Sequence, residues 1–175
     1  LIRVVAAGVN RPDIQQRRGL YPPPPDASSL PGLDVAGIIE EVGDGVDSLQ
    51  AGDPVCALVN GGGYAEYVRV MPFVLPGVVR IPARNSFLEG AMLEPVNTVL
   101  KGIKRLALLS GDTVLVAGQG PIGLMFTRLL ALRGMRVVAT DLLPNRLALA
   151  REFGAAAAYE PKSEARNPKS GILRH

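Results

Sequence analysis

Residues 113–141 read T-V-L-V-A-G-Q-G-P-I-G-L-M-F-T-R-L-L-A-L-R-G-M-R-V-V-A-T-D, and this stretch decides the fold of the second half of the chain. Val114 to Val116 form a short apolar run, which is typical of a parallel strand that is covered on both faces. The run leads into the G-x-G-x-x-G spacing of Gly118 to Gly123, and a helix-like segment follows. Gly134 favours the end of that helix, and Arg136 to Thr140 predict a second strand.

The glycine turn has the spacing that a dinucleotide-binding site requires. Gly118 permits a tight turn, Gly120 lets the backbone approach a pyrophosphate, and Gly123 lets the helix pack closely on the strand. Pro121 suits the first helical position, since it lacks an N–H group that would be unpaired there. The free N–H groups at the helix start then face the phosphates. The predicted cofactor-binding residues of the turn are Gly118, Gln119, Gly120, Pro121, Ile122 and Gly123.

Asp141 follows the second strand, within a few residues of the ~20 that usually separate an acidic residue from the glycine turn. A carboxylate there accepts hydrogen bonds from the ribose hydroxyls of NAD and repels the 2′-phosphate of NADP. We therefore expect NAD(H) to be preferred over NADP(H), although Arg146 would soften the repulsion. The alternative is a β-α-β unit whose glycines serve only a tight turn, with Asp141 as a helix cap.

Composition argues against several classes of function. The 175 residues are 47% hydrophobic, which suits one ordinary domain or two small or partial ones. The net charge of +3 comes from scattered residues with no dense basic run, so a nucleic-acid surface is not indicated. No apolar run approaches the ~18 residues of a membrane span. Cys56 is the only cysteine, which excludes an internal disulfide or a four-cysteine zinc site and fits a cytoplasmic, reducing compartment.

The first half of the chain is β-rich, and the second half alternates strands with helices. Residues 1–10 are strand-like from the first residue, so we expect partner strands upstream of this chain. Residues 32–70 contain short strands separated by Gly/Asp turns, which predicts a small barrel. Ser86 and Glu89 predict a capping box, and Pro95 predicts a break within a helical segment over 92–109. The remaining predicted segments are a helical turn over 12–18, a proline-rich loop over 20–31, a helix over 145–153, a strand over 155–159 and a loose basic tail over 160–175.

The order of these parts resembles the medium-chain dehydrogenase/reductase superfamily. Three stretches carry the resemblance: G-L-D-V-A-G-I-I-E-E-V-G with A-G-D-P-V, the E-P-V-N helix, and the glycine turn. The resemblance implies an α/β plus β architecture, in which a partial GroES-like β-barrel precedes a partial, doubly wound Rossmann domain. Residues 1–97 would be the GroES-like catalytic domain with its connecting helix, and residues 98–175 the first half of the Rossmann NAD(P)-binding domain. It also implies a partial chain of marginal or partner-dependent stability, which would form homo-oligomers once completed.

The first half resembles the zinc-independent quinone oxidoreductase branch through A-A-G-V-N-R-P-D-I-Q-Q-R-R-G-L-Y-P-P-P. This implies that Asn10 and Tyr21 line the nicotinamide and substrate pocket, whereas a second pocket tyrosine of the branch falls on Gln15 here. Zinc-dependent relatives carry a cysteine where Asn10 stands and a His-Glu pair at Leu33-Asp34. Since neither Asn10 nor Leu33 is an ordinary zinc ligand, no catalytic zinc is expected.

The second half resembles the zinc-dependent branch instead, through G-Q-G-P-I-G, Glu94 and Asp141. This implies that Thr98 contacts the nicotinamide; the alternative is a hydroxyl group that bonds back to its own helix. The chain thus combines features of two branches.

Together these features predict an NAD(P)H-dependent oxidoreductase that transfers hydride to a small-molecule quinone or to an activated alkene or carbonyl, without zinc. Because a bound cofactor carries the reactive centre, donors such as Tyr21 or a backbone N–H group need only stabilise the developing oxyanion. Two alternatives are an alcohol, polyol or threonine dehydrogenase relative that has lost its metal site, and a non-catalytic nucleotide-binding fragment.

Overall fold

The computed structural model describes residues 1–25 and 27–161. The chain divides into two units, Leu1–Asn97 and Thr98–His175. Most of the basic tail predicted over 160–175 lies outside the described residues, and so does the single histidine, His175.

An antiparallel sheet of five strands, in the order β4-β1-β2-β3-β5, forms the first unit. Its strands are β1 Ile2–Ala7, β2 Asp34–Ile39, β3 Pro54–Leu58, β4 Tyr67–Val68 and β5 Val78–Arg80. The order has β4 and β5 at its two edges, so these pairings do not confirm the predicted closure into a barrel. β4 is a strand of only two residues, and shortly before it the N–H group of Tyr64 donates to Pro31 O, in the loop before β2.

The helices of the first half begin close to the predicted positions. α1 spans Arg11–Arg17, a 3₁₀ helix spans Pro72–Gly77, α2 spans Phe87–Gly90 and α3 spans Leu93–Arg105. The capping box of α2 is confirmed: Ser86 Oγ accepts the N–H group of Glu89 at 3.2 Å, and Glu89 Oε2 accepts that of Ser86 at 2.7 Å. α3 starts afresh after α2, as Pro95 in its first turn predicts. It ends earlier than predicted, and Ala107, which follows it, has a φ of +47°.

A parallel sheet in the order β6-β7-β8 forms the second unit. Its elements are β6 Thr113–Ala117, α4 Pro121–Leu132, β7 Arg136–Thr140, α5 Pro144–Glu152 and β8 Ala157–Tyr159. β6 and β7 pair in parallel register from Thr113 opposite Arg136 to Ala117 opposite Thr140, which confirms the predicted β-α-β unit. β6 lies at an edge of this sheet, and Leu115 at its centre is 64% exposed.

Each unit has its own apolar core. In the first unit the largest cluster is Ile2, Val35, Ile39, Val55, Ala57, Val59 and Val68. In the second unit the largest cluster is Val99, Ile103, Val116, Leu130 and Val137. Over residues 1–25 and 27–161, no helix is long and apolar enough to cross a membrane.

Replacing Leu130 by alanine is expected to lower the free energy of unfolding of the second unit by about 2–4 kcal/mol, because the Leu130 side chain is 1% exposed and its loss leaves a cavity in the core. Leu132→Ala is the matched control on the same helix, since Leu132 is 64% exposed. We expect that control to change the free energy by about 0.5 kcal/mol or less. Urea unfolding followed by far-UV circular dichroism measures both, and equal losses would contradict the assignment of this core.

Candidate functional site

The glycine turn joins the end of β6 to the start of α4. Gly118 has a φ of +86°, the left-handed conformation that glycine adopts without strain, and its N–H group donates to Thr140 O at 2.7 Å. A Cβ atom on Gly123 would collide with the carbonyl oxygen of Gly118, so the close approach of α4 to the turn requires glycine there. A Cβ atom on Gly120 would meet no atom within 4 Å, so open space faces the turn at this position. The turn therefore has a closely packed side and an open side.

The N-terminus of α4 lies on the turn. Gly120 is the N-cap residue, no side chain caps the helix, and Pro121 occupies the first turn. The N–H groups of the first turn of any α-helix lack acceptors within the helix, and the helix dipole adds partial positive charge there. Because Pro121 and Ile122 are exposed, this end of α4 can accept an anionic ligand.

Asp141, directly after β7, is 8% exposed and has three partners. Its Oδ2 accepts the N–H group of Gln119 at 2.6 Å, and its Oδ1 accepts that of Leu143 at 2.9 Å. Nη1 of Arg146 lies 3.6 Å from Oδ2. Burial opposes ionisation of Asp141, but the two N–H groups and the Arg146 guanidinium outweigh it, so the pKa of this carboxyl lies below its ordinary value. Asp141 is thus an anion at neutral pH, held against the turn and against the N–H group of Leu143. Leu143, and not Asp141, is the N-cap residue of α5, and no side chain caps that helix, so the alternative of Asp141 as a helix cap is not confirmed.

Gln119 has a different environment from the other residues of the turn, because its side chain is directed into the second unit. The residue is fully buried. Its Nε2 donates to Val116 O at 2.9 Å, and its Oε1 accepts the hydroxyl of Thr127 at 2.9 Å. Since its backbone N–H group is bonded to Asp141, these three hydrogen bonds of Gln119 are internal rather than aimed at the open side of the turn.

In the first unit, the segment that contains Asn10 is held by Asp13, which is 3% exposed. Asp13 Oδ2 accepts the N–H group of Asn10 at 2.8 Å, and Oδ1 accepts that of Gly32 at 2.9 Å. The Nδ2 atom of Asn10 is buried and makes no hydrogen bond of ordinary length among the described residues. It faces the Asp34 carboxyl closely enough to act against the rise in the pKa of Asp34, so Asp34 is the acceptor with which a ligand would compete for this amide.

Tyr21 and Tyr64 lie in different surroundings in the first unit: Tyr21 is in an exposed loop, and the hydroxyl of Tyr64 is bonded to the backbone. Tyr21 is 48% exposed, in the loop that follows α1. The hydroxyl of Tyr64 donates to Gly8 O at 3.1 Å, two residues before Asn10. Burial, together with the Asp13 carboxylate, raises the pKa of Tyr64 to about 12. Tyr64 is not among the predicted site residues; the signal that could have indicated it is G-G-G-Y at 61–64, where a tyrosine directly follows a glycine turn.

Asp34 and Cys56 are buried in the first unit. Asp34 Oδ2 accepts the N–H group of Glu94, near the start of α3, at 2.9 Å, and Oδ1 has no hydrogen-bond partner among the described residues. Burial raises the pKa of Asp34 to about 6; the Glu94 N–H group acts against this shift, and the charges of Glu94 and Asp13 add to it. Burial and Asp34 also raise the pKa of the Cys56 thiol, which argues against a reactive thiolate.

Thr98 is exposed on α3.

Known proteins are similar to this chain in sequence and in structure. Residues 1–82 match the alcohol dehydrogenase GroES-like domain. The chain is 32% identical over 193 aligned positions to an alcohol dehydrogenase of Geobacillus stearothermophilus. This alignment covers 94% of this chain and 56% of that protein. It is 37% identical over 144 positions to a quinone oxidoreductase of Rattus norvegicus, covering 80% of this chain and 43% of that protein.

A solved structure gives a similar result. The crystal structure of Escherichia coli quinone oxidoreductase complexed with NADPH matches 90% of this chain and 48% of its own, with a TM-score of 0.76 and 26% sequence identity. The chain therefore spans about half the length of the relatives that it matches.

Replacing Gly123 by alanine is expected to lower the free energy of unfolding of the second unit by about 3 kcal/mol, because the new Cβ atom collides with backbone rather than with a movable side chain. Gly120→Ala is the matched control in the same turn, since its Cβ atom enters open space at a φ of −73°. Thermal unfolding compares the two variants. A loss of stability in Gly120→Ala as large as that in Gly123→Ala would contradict the geometry of the turn.

Replacing Asp34 by asparagine should make the stability of the first unit less dependent on pH. The native pKa of about 6 exceeds the ordinary value of 3.8, so the folded chain binds this proton more tightly than the unfolded chain does. The wild type should therefore lose stability as the pH rises from about 4 to about 7, and the loss should level off above that. Asparagine keeps an acceptor for the Glu94 N–H group and does not titrate. The measurement is the difference in melting temperature between variant and wild type at each pH, and parallel profiles would contradict the raised pKa.

Proposed function

Since this chain belongs to the medium-chain dehydrogenase/reductase superfamily, we propose that it binds a nicotinamide dinucleotide at its glycine turn and takes part in hydride transfer to a small organic acceptor. The observation that carries this proposal is the 2.6 Å hydrogen bond from the N–H group of Gln119 to Asp141 Oδ2. It holds a carboxylate beside the turn, so that one ligand with a ribose and a pyrophosphate can contact both. The two groups lie at the carboxyl ends of β6 and β7, the edge at which open α/β sheets bind ligands.

The pyrophosphate would lie on the open side of the turn. The free space at Gly120 lets the phosphates approach the backbone, and the N–H groups of Ile122 and Gly123 are available as donors at the start of α4. Gly118 and Pro121 would serve by shaping the backbone rather than by donating a side chain. Thr98 stays a proposed contact of the nicotinamide.

We infer that NAD(H) is preferred over NADP(H). Asp141 is ionised and nearly buried, so its charge would act on a 2′-phosphate with little screening by water. Arg146 opposes this repulsion, but its side chain is 43% exposed and is therefore better screened than the carboxylate. The E. coli quinone oxidoreductase was solved with NADPH, so the preference needs a direct comparison of the two cofactors.

The residues of this chain do not suit the catalytic zinc that its resemblance to zinc-dependent dehydrogenases implies. That resemblance places Asn10, Leu33 and Asp34 at positions of zinc ligands, and this set lacks the thiolate and imidazole donors that zinc prefers. Asp34 also uses Oδ2 for the N–H group of Glu94. We therefore propose a reaction that does not need a metal to polarise an alcohol oxygen.

Reduction of a quinone or of an activated alkene or carbonyl meets that requirement. Reduced nicotinamide supplies a hydride when it is bound, and a proton from water completes the reduction of the acceptor. Asn10 is the proposed donor to the acceptor's oxygen through Nδ2, which must turn away from Asp34 to reach it, and Tyr21 is the proposed second donor. Tyr64 instead holds Gly8 O through its hydroxyl, which would fix the backbone just before Asn10.

A second candidate is a nucleotide-binding module without turnover. The chain spans about half the length of its relatives, and the edge strand β6 carries an exposed Leu115 where an interior strand would be covered. A third candidate is a relative of the alcohol, polyol or threonine dehydrogenases that has lost its metal, and the similarity to the G. stearothermophilus enzyme supports it.

The test is a titration of the purified chain into NADH and, separately, into NADPH, followed by nicotinamide fluorescence. The chain contains no tryptophan, so its own emission interferes little. We expect NADH to give a saturable enhancement of nicotinamide fluorescence. The dissociation constant of NADPH should be about tenfold larger than that of NADH, as one unfavourable charge contact predicts. Asp141→Asn should remove this difference, because it removes the charge and keeps an acceptor.

Controls separate the candidates. Asp112→Asn, in the loop before β6, removes a carboxylate of the same unit and should leave both dissociation constants unchanged. Oxidation of NADH by a model quinone separates the oxidoreductase from the module without turnover, and alcohol oxidation that is sensitive to chelators would support the third candidate. No response of the wild type to either cofactor would refute the proposed nucleotide site.

A further inference from the structure

We propose that Gln119 is a positioning residue, whose buried side chain fixes the glycine turn and Asp141 in one geometry from inside the second unit. The inference rests on the proposed dinucleotide site and concerns what keeps that site in shape. Gln119 would affect cofactor binding only through the turn and the Asp141 carboxylate that it holds, without touching the cofactor itself.

The side chain of Gln119 connects the element before the turn with the element after it. Val116, whose carbonyl accepts Nε2 at 2.9 Å, belongs to β6. Thr127, whose hydroxyl donates to Oε1 at 2.9 Å, belongs to α4. One amide therefore links the strand to the helix directly beneath the turn that joins them.

Both side chains of this link are fully buried. An amide or a hydroxyl is seldom fully buried unless it is hydrogen-bonded. Gln119 and Thr127 are each 0% exposed. A buried amide is costly unless it is hydrogen-bonded, and an apolar side chain of similar volume could fill the same space without that constraint. The two bonds fix the orientation of the amide, and an apolar side chain would leave it free to rotate.

The backbone of the same residue holds Asp141. The N–H group of Gln119 lies 2.6 Å from Asp141 Oδ2, so any rotation of the turn at position 119 moves a donor away from the carboxylate. Arg146, 3.6 Å from the same oxygen, would then be the nearest competing partner. A fixed Gln119 side chain therefore also holds in place the carboxylate of Asp141, which is the proposed acceptor for the ribose hydroxyls.

The test is a double-mutant cycle of Gln119→Met and Thr127→Val. Methionine keeps the length of the side chain and loses both hydrogen bonds, and valine keeps the shape of threonine without its hydroxyl. We expect each single variant to melt at a lower temperature and to bind NADH about tenfold more weakly than the wild type, because Gln119→Met loses both bonds of the amide and Thr127→Val loses the bond between the two side chains. In the double variant no unpaired partner is left between the two side chains, so its melting temperature should recover in part, while Val116 O still lacks the Nε2 donor.

The decisive readout is whether NADH binding recovers together with stability. A positioning role predicts that the double variant still binds about tenfold more weakly, with a smaller preference for NADH over NADPH, when measured well below its melting temperature. Recovery of binding in parallel with the melting temperature would overturn the proposal, and so would unchanged binding in Gln119→Met. Thr127→Ser should restore both properties relative to Thr127→Val, and Leu132→Ala, exposed on the same helix, should leave both unchanged.

Failure of the proposed nucleotide site gives a different pattern. In that case the wild type itself shows no saturable response to NADH or NADPH, and the positioning role is refuted with it. Saturable binding by the wild type that every variant retains would refute only the role of Gln119.

Discussion

Buried backbone N–H groups need acceptors, and in this chain three aspartate side chains supply them at the points where loops meet regular elements. Asp13 accepts from Gly32, Asp34 from Glu94, and Asp141 from Gln119, across 19, 60 and 22 residues of sequence. A carboxylate can accept several bonds at once, so a short side chain can hold a loop in a fixed position. Asn10 in the first unit and the glycine turn in the second are both held in this way.

The environments of these carboxylates decide their charge. Asp141 receives two N–H groups and lies near a guanidinium, which keeps its pKa low in spite of burial. Asp34 receives one N–H group, leaves one oxygen without a partner and lies near other acidic groups, so burial prevails and its pKa rises to about 6. The same residue type therefore serves as a fixed anion in the nucleotide unit and as a titrating group in the sheet unit.

Much of the architecture follows from local chemistry and could be predicted. Ser86 and Glu89 satisfy each other's backbone groups within four residues, and the spacing of the glycine turn depends on sterics between neighbours. Features that depend on distant partners could not be predicted. The inward direction of the Gln119 side chain depends on Thr127, and the position of Tyr64 depends on Gly8, 56 residues away.

The exposed strand β6 has a consequence for handling the protein. Its sequence, T-V-L-V-A, is apolar on both faces, yet it occupies an edge of the sheet with Leu115 in contact with solvent. A flat, uncharged edge of this kind templates pairing with strands of other chains. In a concentrated preparation, or in a cell that overproduces the chain, intermolecular β-pairing competes with folding, and the yield of monomer falls as concentration rises. The strand that precedes the glycine turn is thus also an exposed edge at which strands of other chains can pair.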